Sequence, residues 1–184
     1  FGPHIGIAVV REGLFESLTP YKLQPAPDFI PDKLETGTQN HEGLAGIAPA
    51  IDFIASLGEG ETRRERLVDA FAHIHAYESL LADKMREGLA TLPGIRLFQA
   101  PPEVAKTPTI AFQLDGFTPL EVCQYLAEEH SIFVAEGHFY ASTLAAVLGI
   151  TESGGWVRAG LAPYNSLEEV DRFLNGLQHL LLHK

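Results

Sequence analysis

Val157-Arg158-Ala159-Gly160-Leu161-Ala162 sets one arginine inside an otherwise apolar run. Side chains alternate between the two faces of a strand, so Val157, Ala159 and Leu161 point one way and Arg158 and Gly160 the other. A guanidinium in such a place needs a partner. A carboxylate gripped through two parallel charged hydrogen bonds suits its planar fork. A structural salt bridge to one of the 24 acidic side chains meets the same need, and spacing alone leaves both readings open.

Two loops hold further candidates. Glu35-Thr36-Gly37-Thr38-Gln39-Asn40-His41 lies just ahead of a helical pattern. Gly37 permits backbone shapes that other residues resist, and Thr36, Thr38 and Asn40 offer donors and caps. Successive N–H groups at a helix start favour an anion by about 0.3–1 kcal/mol. A cluster that merely caps the helix has the same composition. Ala135-Glu136-Gly137-His138-Phe139-Tyr140 is a turn in which His138 and Tyr140 face either a cleft or solvent. His73 and His75 are two apart on a helix and diverge, so they make no metal pair. Cys123 falls on the apolar face of its helix and reads as a small core residue. His179 and His183 belong to a packed terminal helix. No metal site is expected.

The elements that position these residues follow from periodicity. Ile5–Val10 is a short apolar run that reads as a buried strand, and Arg11–Leu18 as a short helix. Thr19–Glu35, with Pro20, Pro25, Pro27 and Pro31, reads as a loop. Asn40–Leu57 is helical, with Pro49 expected to kink or divide it and Gly58 and Gly60 ending it. Thr62–Leu92 is the longest helical pattern, on the order of 45 Å, opened by a capping box of Thr62 and Glu65. It reads as a strut between two domains. Strands are then expected at Ile95–Gln99, Thr109–Leu114, Ser131–Ala135 and Trp156–Ala162. Helices are expected at Pro119–Glu129, Tyr140–Leu148 and Leu167–Leu182, the last capped by Asn165 or Ser166. This order gives an α/β (α+β) arrangement with helices on one face of a small sheet.

Composition bounds the function. The chain is 46% hydrophobic and 20% charged, globular values, and at this length it can bury roughly 70% of its unfolded surface. A net charge of −11 repels a phosphate backbone, so nucleic acid is not an expected partner. No apolar run approaches the ~20 residues of a membrane span. One cysteine allows no internal disulfide and fits a reducing, cytoplasmic setting. The only methionine is Met85 and the chain opens Phe1-Gly2-Pro3-His4, so it is expected to start inside a larger protein.

The order of the motifs is more specific than any one of them. Phe1-Gly2-Pro3-His4-Ile5-Gly6 is followed by Glu35-Thr36-Gly37-Thr38-Gln39-Asn40, a long helix and Gly137-His138. Last comes Arg158-Ala159-Gly160-Leu161-Ala162-Pro163-Tyr164-Asn165-Ser166-Leu167-Glu168-Glu169-Val170-Asp171. Over essentially its whole length the chain resembles the C-terminal half of the cysteine desulfurase-like branch of class V aminotransferases, pyridoxal-phosphate enzymes of fold type I. The resemblance implies a cofactor lysine ahead of Phe1, so no catalytic residue is expected in this chain. It also implies that Gly37 and Thr38 reach the phosphate of pyridoxal 5'-phosphate across a homodimer, and that Arg158 grips the α-carboxylate of an amino-acid substrate. His138 and Tyr140 are added as substrate-cleft candidates. Where desulfurases carry a persulfide-forming cysteine, this sequence has Phe139-Tyr140, and Ala135 replaces an arginine often found two residues before the glycine.

The resemblance sets the architecture as well. Residues 1–58 are expected to close a large cofactor domain, and residues 59–184 to form the interdomain helix and the small C-terminal domain. The isolated chain is expected to be inactive without the lysine. A non-catalytic dimerisation or regulatory module and a catalytically dead relative are the alternatives.

Overall fold

The computed structural model describes residues 2–35 and 37–182. Phe1, Thr36, His183 and Lys184, named above, lie outside the described residues. The chain divides into two compact units, Phe1–Phe71 and Ala72–Lys184. The division falls inside the long helix, later than the glycine stop at Gly58.

In the first unit, α1 (Glu12–Ser17) and α2 (His41–Ala55) precede the start of α3 (Arg63–Thr91). Ile5–Val10 forms no strand. A strand needs a neighbour to take its N–H and C=O groups, and none of the described residues pairs with this run. Ile7 is 70% and Val9 96% exposed. Earlier in the same segment, Pro3 lies against Gly46 of α2, and a Cβ on Gly2 would stand 2.6 Å from that of Ala50. Small residues on α2 thus admit the extended chain. Pro49 does not divide α2, which is continuous across it; the Ala45 carbonyl deprived of its donor faces solvent, Ala45 being exposed.

The loop between α1 and α2 is pinned by lysines. Lys33 is 7% exposed, and its ammonium donates to the carbonyls of Glu16 (3.0 Å) and Leu18 (3.1 Å). A buried charge is tolerated because its donors are used, here at the carbonyl end of α1 where a cation is favoured. Lys22 donates to the Ala26 carbonyl and pairs with Asp28 at 3.0 Å.

The second unit is an antiparallel sheet of order β1-β2-β4-β3, from Ile95–Phe98, Thr109–Leu114, Ala135–Gly137 and Trp156–Gly160. Helices α4 (Pro119–His130) and α6 (Leu167–Leu182) pack on one face with the later turns of α3. Ile110, Phe112 and Leu114 of β2 and Val157 and Ala159 of β4 meet Leu81, Met85, Val122, Leu126, Phe173 and Leu177 there. The intervening residues, Ala111, Gln113 and Arg158 among them, turn to the opposite face, as period-two alternation requires. Among the described residues of this unit, that face carries α5 (Ser142–Val147) and a small cluster of Ala145, Ile150 and Trp156.

Two of the elements start more than one residue away from expectation. The third strand begins at Ala135 rather than Ser131, because Ser131 takes the left-handed conformation that ends α4 (φ 52°) and the Ile132 N–H bonds back to the Leu126 carbonyl. The α5 helix begins at Ser142 rather than Tyr140, because Phe139 (φ 49°) and Tyr140 (φ 63°) are both left-handed. By contrast, the capping boxes are formed. Thr62 and Glu65 exchange hydrogen bonds at the start of α3, as do Thr118 and Glu121 at α4.

Candidate functional site

Arg158 stands on the open face of the sheet. In register it lies between Ala111 of β2 and Ala135 of β3, so methyl groups flank it on both sides. Its guanidinium carbon lies 3.8 Å from the centre of the Phe139 ring. Among the described residues no carboxylate pairs with it, and its hydrogen-bonding edges are open. The salt-bridge alternative left by the sequence is not the arrangement found. A guanidinium stacked on an aromatic face keeps its in-plane N–H donors for a planar, bidentate acceptor.

The turn that brings Phe139 there is tightly built. Gly137 has φ 118°, and the Ala141 N–H donates to the His138 carbonyl at 2.7 Å. Opposite it, Gly155 (φ 89°) approaches so closely that a Cβ would stand 2.5 Å from the carbonyl of Gly137. The Gln113 amide donates to the Gly155 carbonyl and to the Ser153 hydroxyl, each at 2.8 Å, and so holds this turn to β2.

Arg158 opens into a cleft of about 580 Å³ shared with His138, Phe139, Phe98, Trp156 and Leu148. Phe98 and Trp156 meet edge to face at 5.9 Å over Ala111. The walls are mostly apolar, and the charge is at Arg158 and at Arg96, which lies 4.7 Å over Phe98. The structure therefore brings His138 and Arg158 to one cleft. It leaves Tyr140 out, fully exposed and turned to solvent. Phe139 was not singled out as a site residue from sequence. Its signal was available only as an aromatic in a glycine turn, and nothing local says that the turn folds over Arg158. Trp156 was more legible, since it sits two residues from Arg158 and must share its face.

Chain beyond β4 locks this strand to α6. The Asn165 side chain accepts from the Ala162 N–H at 2.8 Å and donates to Glu169 at 2.9 Å. Ser166 and Glu169 cap the helix reciprocally, and the Tyr77 hydroxyl donates to the Asn165 carbonyl. Lys84 reaches Asp171 at 2.7 Å and the Leu167 carbonyl. The motif after Arg158 is thus a strand exit and a helix cap. Its charged Glu169 is held below the usual carboxylate value by the Asn165 amide and then the Ser166 N–H.

Gly37 and Thr38 belong to the first unit and border two open cavities there with Glu35 and Gln39. Asn40 is a cap, its side chain accepting from the Gly43 N–H at 2.8 Å. A Cβ on Gly37 would meet nothing among the described residues. This glycine thus leaves open space beside Thr38. Thr38 is exposed, and its hydroxyl makes no hydrogen bond among the described residues. Among the described residues no lysine or arginine borders either cavity. The Thr38 hydroxyl and neighbouring N–H groups are donors that suit one edge of a phosphate, and the described lining of these cavities adds no cation to neutralise it.

Cys123 is on the other side of the sheet. It lies on α4 and packs against the main core, whereas Arg158 points away from that core. Its thiol is pushed up to about 11 by burial and, secondarily, by the Glu136 carboxylate. It supplies no thiolate to the cleft. The ammonium groups of Lys22, Lys33, Lys84 and Lys106 are all engaged by protein oxygens, Lys106 by the carbonyls of Pro101, Pro102 and Val104. None is a free amine poised at either site.

The comparisons with known proteins agree with this architecture. The sequence pattern of the family described as Aminotransferase class-V matches residues 4–173. The chain is 32% identical, over 97% of its length, to an uncharacterized protein of Mycobacterium tuberculosis (strain CDC 1551 / Oshkosh), of which it covers 44%. It is 31% identical, over 98%, to a cysteine desulfurase of Salmonella agona (strain SL483), of which it covers 43%. The apo structure of a cysteine desulfurase from Thermococcus onnurineus NA1 superposes with a TM-score of 0.77 at 27% identity, over 95% of this chain and 42% of that one. The S-sulfonic acid form of an Escherichia coli cysteine desulfurase gives 0.64 at 29%, over 82% and 33%. The chain thus spans less than half the length of the curated relatives it matches.

Proposed function

This chain belongs to the class V aminotransferase family, whose members use pyridoxal phosphate, and on that footing we propose that it forms the substrate-gripping part of such an enzyme acting on an amino acid. When bound, the cofactor supplies an electron sink for bonds at the substrate α-carbon. Arg158 binds the α-carboxylate through its open edge, with Phe139 holding the guanidinium plane. His138 lies at the rim of the same cleft and presents a hydrogen-bonding ring to the ligand; Tyr140 takes part only after the turn moves. Gly37 and Thr38 hydrogen-bond one side of the cofactor phosphate in a homodimer, and residues 1–58 complete the cofactor domain.

The observation that carries this reading is an arginine without a carboxylate partner, stacked on a ring, at the mouth of an apolar cleft. The chain alone is inactive, since its described lysines are all tied to protein oxygens. The reaction also differs from sulfur transfer to a protein thiol on this chain. The only cysteine is Cys123, and it lies across the sheet from Arg158.

Replacement of Arg158 tests the assignment. Charge-assisted hydrogen bonds contribute about 1.5–3 kcal/mol, so Arg158→Ala is expected to weaken binding of a small α-amino acid by about 10- to 100-fold. Arg158→Lys is expected to restore only part, since a point charge cannot form the fork. Trp156 is the one tryptophan of the chain and lines the cleft, so its fluorescence reports occupancy without any turnover. Unchanged affinity in Arg158→Ala would remove the proposal and favour a non-catalytic module.

A further inference from the structure

The cleft has more room than a carboxylate needs. Around Arg158 the free volume is about 580 Å³, and the side chains facing it are Phe98, Phe139, Leu144, Leu148 and Trp156. Leu144 is 52% exposed, although it sits on α5 beside a buried cluster. An apolar side chain in such a place gains when something covers it. The polar side chains are Arg158 beside the turn, Arg96 over Phe98, His138 and Gln99. A concave apolar wall with a convergent cation is the form of a site for an amphipathic acid.

We propose that this cleft selects an amino acid with an extended apolar side chain, whose carboxylate meets Arg158 and whose hydrocarbon lies against Leu144, Leu148 and Phe98. The inference rests on the assignment of Arg158 above and adds the class of side chain. A side chain the size of alanine or cysteine leaves most of the wall uncovered. Each buried methylene improves affinity by about fourfold, so three extra carbons give up to about 50-fold. Arg96 offers a competing reading, in which a second acidic group on the ligand pairs with it. The stacking of Arg96 on Phe98 leaves its own edge open, so only a dicarboxylic ligand decides between the two.

The experiment is a titration of the full chain with L-alanine, L-leucine, L-phenylalanine and L-glutamate, followed by Trp156 fluorescence and checked by calorimetry. It is run on the wild type, Leu144→Asp and Arg158→Ala. Leu144 is half exposed, so its replacement leaves the core intact. The expected result is that leucine and phenylalanine bind at least about tenfold more tightly than alanine or glutamate. Leu144→Asp is expected to lose most of that advantage, and Arg158→Ala to weaken binding of all four ligands by about 10- to 100-fold. Equal affinity for alanine and leucine, with both weakened in Arg158→Ala, overturns the side-chain assignment and leaves the Arg158 assignment standing. Preference for glutamate overturns it in favour of a dicarboxylic ligand. Binding that is unaffected in Arg158→Ala, or absent for every ligand in the wild type, overturns both.

Discussion

The Arg158 guanidinium carbon lies over the Phe139 ring at 3.8 Å from its centre, and this pair is made by a turn with two consecutive left-handed residues, Phe139 and Tyr140. Left-handed non-glycine residues are uncommon and persist where surrounding structure holds them. Here Gly155, Gln113 and the His138 carbonyl do so. A cation–π contact is worth about 0.5–1 kcal/mol when exposed and about 2 when desolvated. Phe139→Ala is therefore expected to weaken amino-acid binding by a few-fold to about 30-fold, with a broader loss for Arg158→Ala. Phe139→Leu, which keeps bulk but not the ring face, is expected to behave like Phe139→Ala in affinity while retaining more thermal stability. Equal affinity in wild type and Phe139→Leu would show that the ring only fills space.

Cys123 is expected to resist alkylation. Its folded pKa of about 11 stands above the unfolded value near 8.5. The neutral thiol therefore favours the fold below about pH 8.5, and that contribution is lost as pH rises through about 11. Iodoacetamide labelling followed by mass spectrometry should be slow in the folded chain at neutral pH and fast in urea. Glu136→Gln removes the secondary cause and is expected to speed labelling slightly. Rapid labelling of the folded wild type at neutral pH contradicts this burial.

The Asn165-Ser166-Glu169 cap makes the second unit acid-sensitive. Glu169 titrates below its ordinary value because the Asn165 amide and the Ser166 N–H bind its charged form. Its contribution is present above an unfolded pKa near 4.3 and is lost as pH falls through the lower folded value. Urea midpoints are expected to drop between neutral pH and acid, and Glu169→Gln is expected to flatten part of that drop. Parallel curves for the two proteins would exclude the cap as a source.

Gly155→Ala is expected to damage both fold and site. A methyl group there would sit 2.5 Å from the Gly137 carbonyl, on a backbone with φ 89°. Substitution at such a φ costs at least about 1 kcal/mol, and here the contact is backbone, which cannot swing away. The expected signature is a lower Tm together with weaker amino-acid binding, because the displaced Gly137 turn carries Phe139.

Much of this was readable from residues, for identifiable reasons. The six residues Thr109–Leu114 alternate apolar and small or polar side chains and form the strand expected of them. α6 begins and ends where its cap and periodicity place it. The facing of Arg158 away from Val157 and Ala159 follows from period two alone. Ile5–Val10 failed because β pattern states only that a segment fits a sheet, not that a partner is present. The start of β3 was missed because the left-handed Ser131 prolongs the exit from α4. The Arg158–Phe139 pair was invisible because it joins residues 19 apart through a turn whose geometry depends on Gly155, and no local pattern encodes that contact.

Ala111 and Ala135 flank Arg158 on the two neighbouring strands. Were either of them valine or leucine, the row would knit into a dry hydrocarbon layer and the guanidinium would be shouldered outward. Two single methyls thus keep a berth clear at the middle of the sheet, and the cation owes its freedom to meet a visitor to what its neighbours lack.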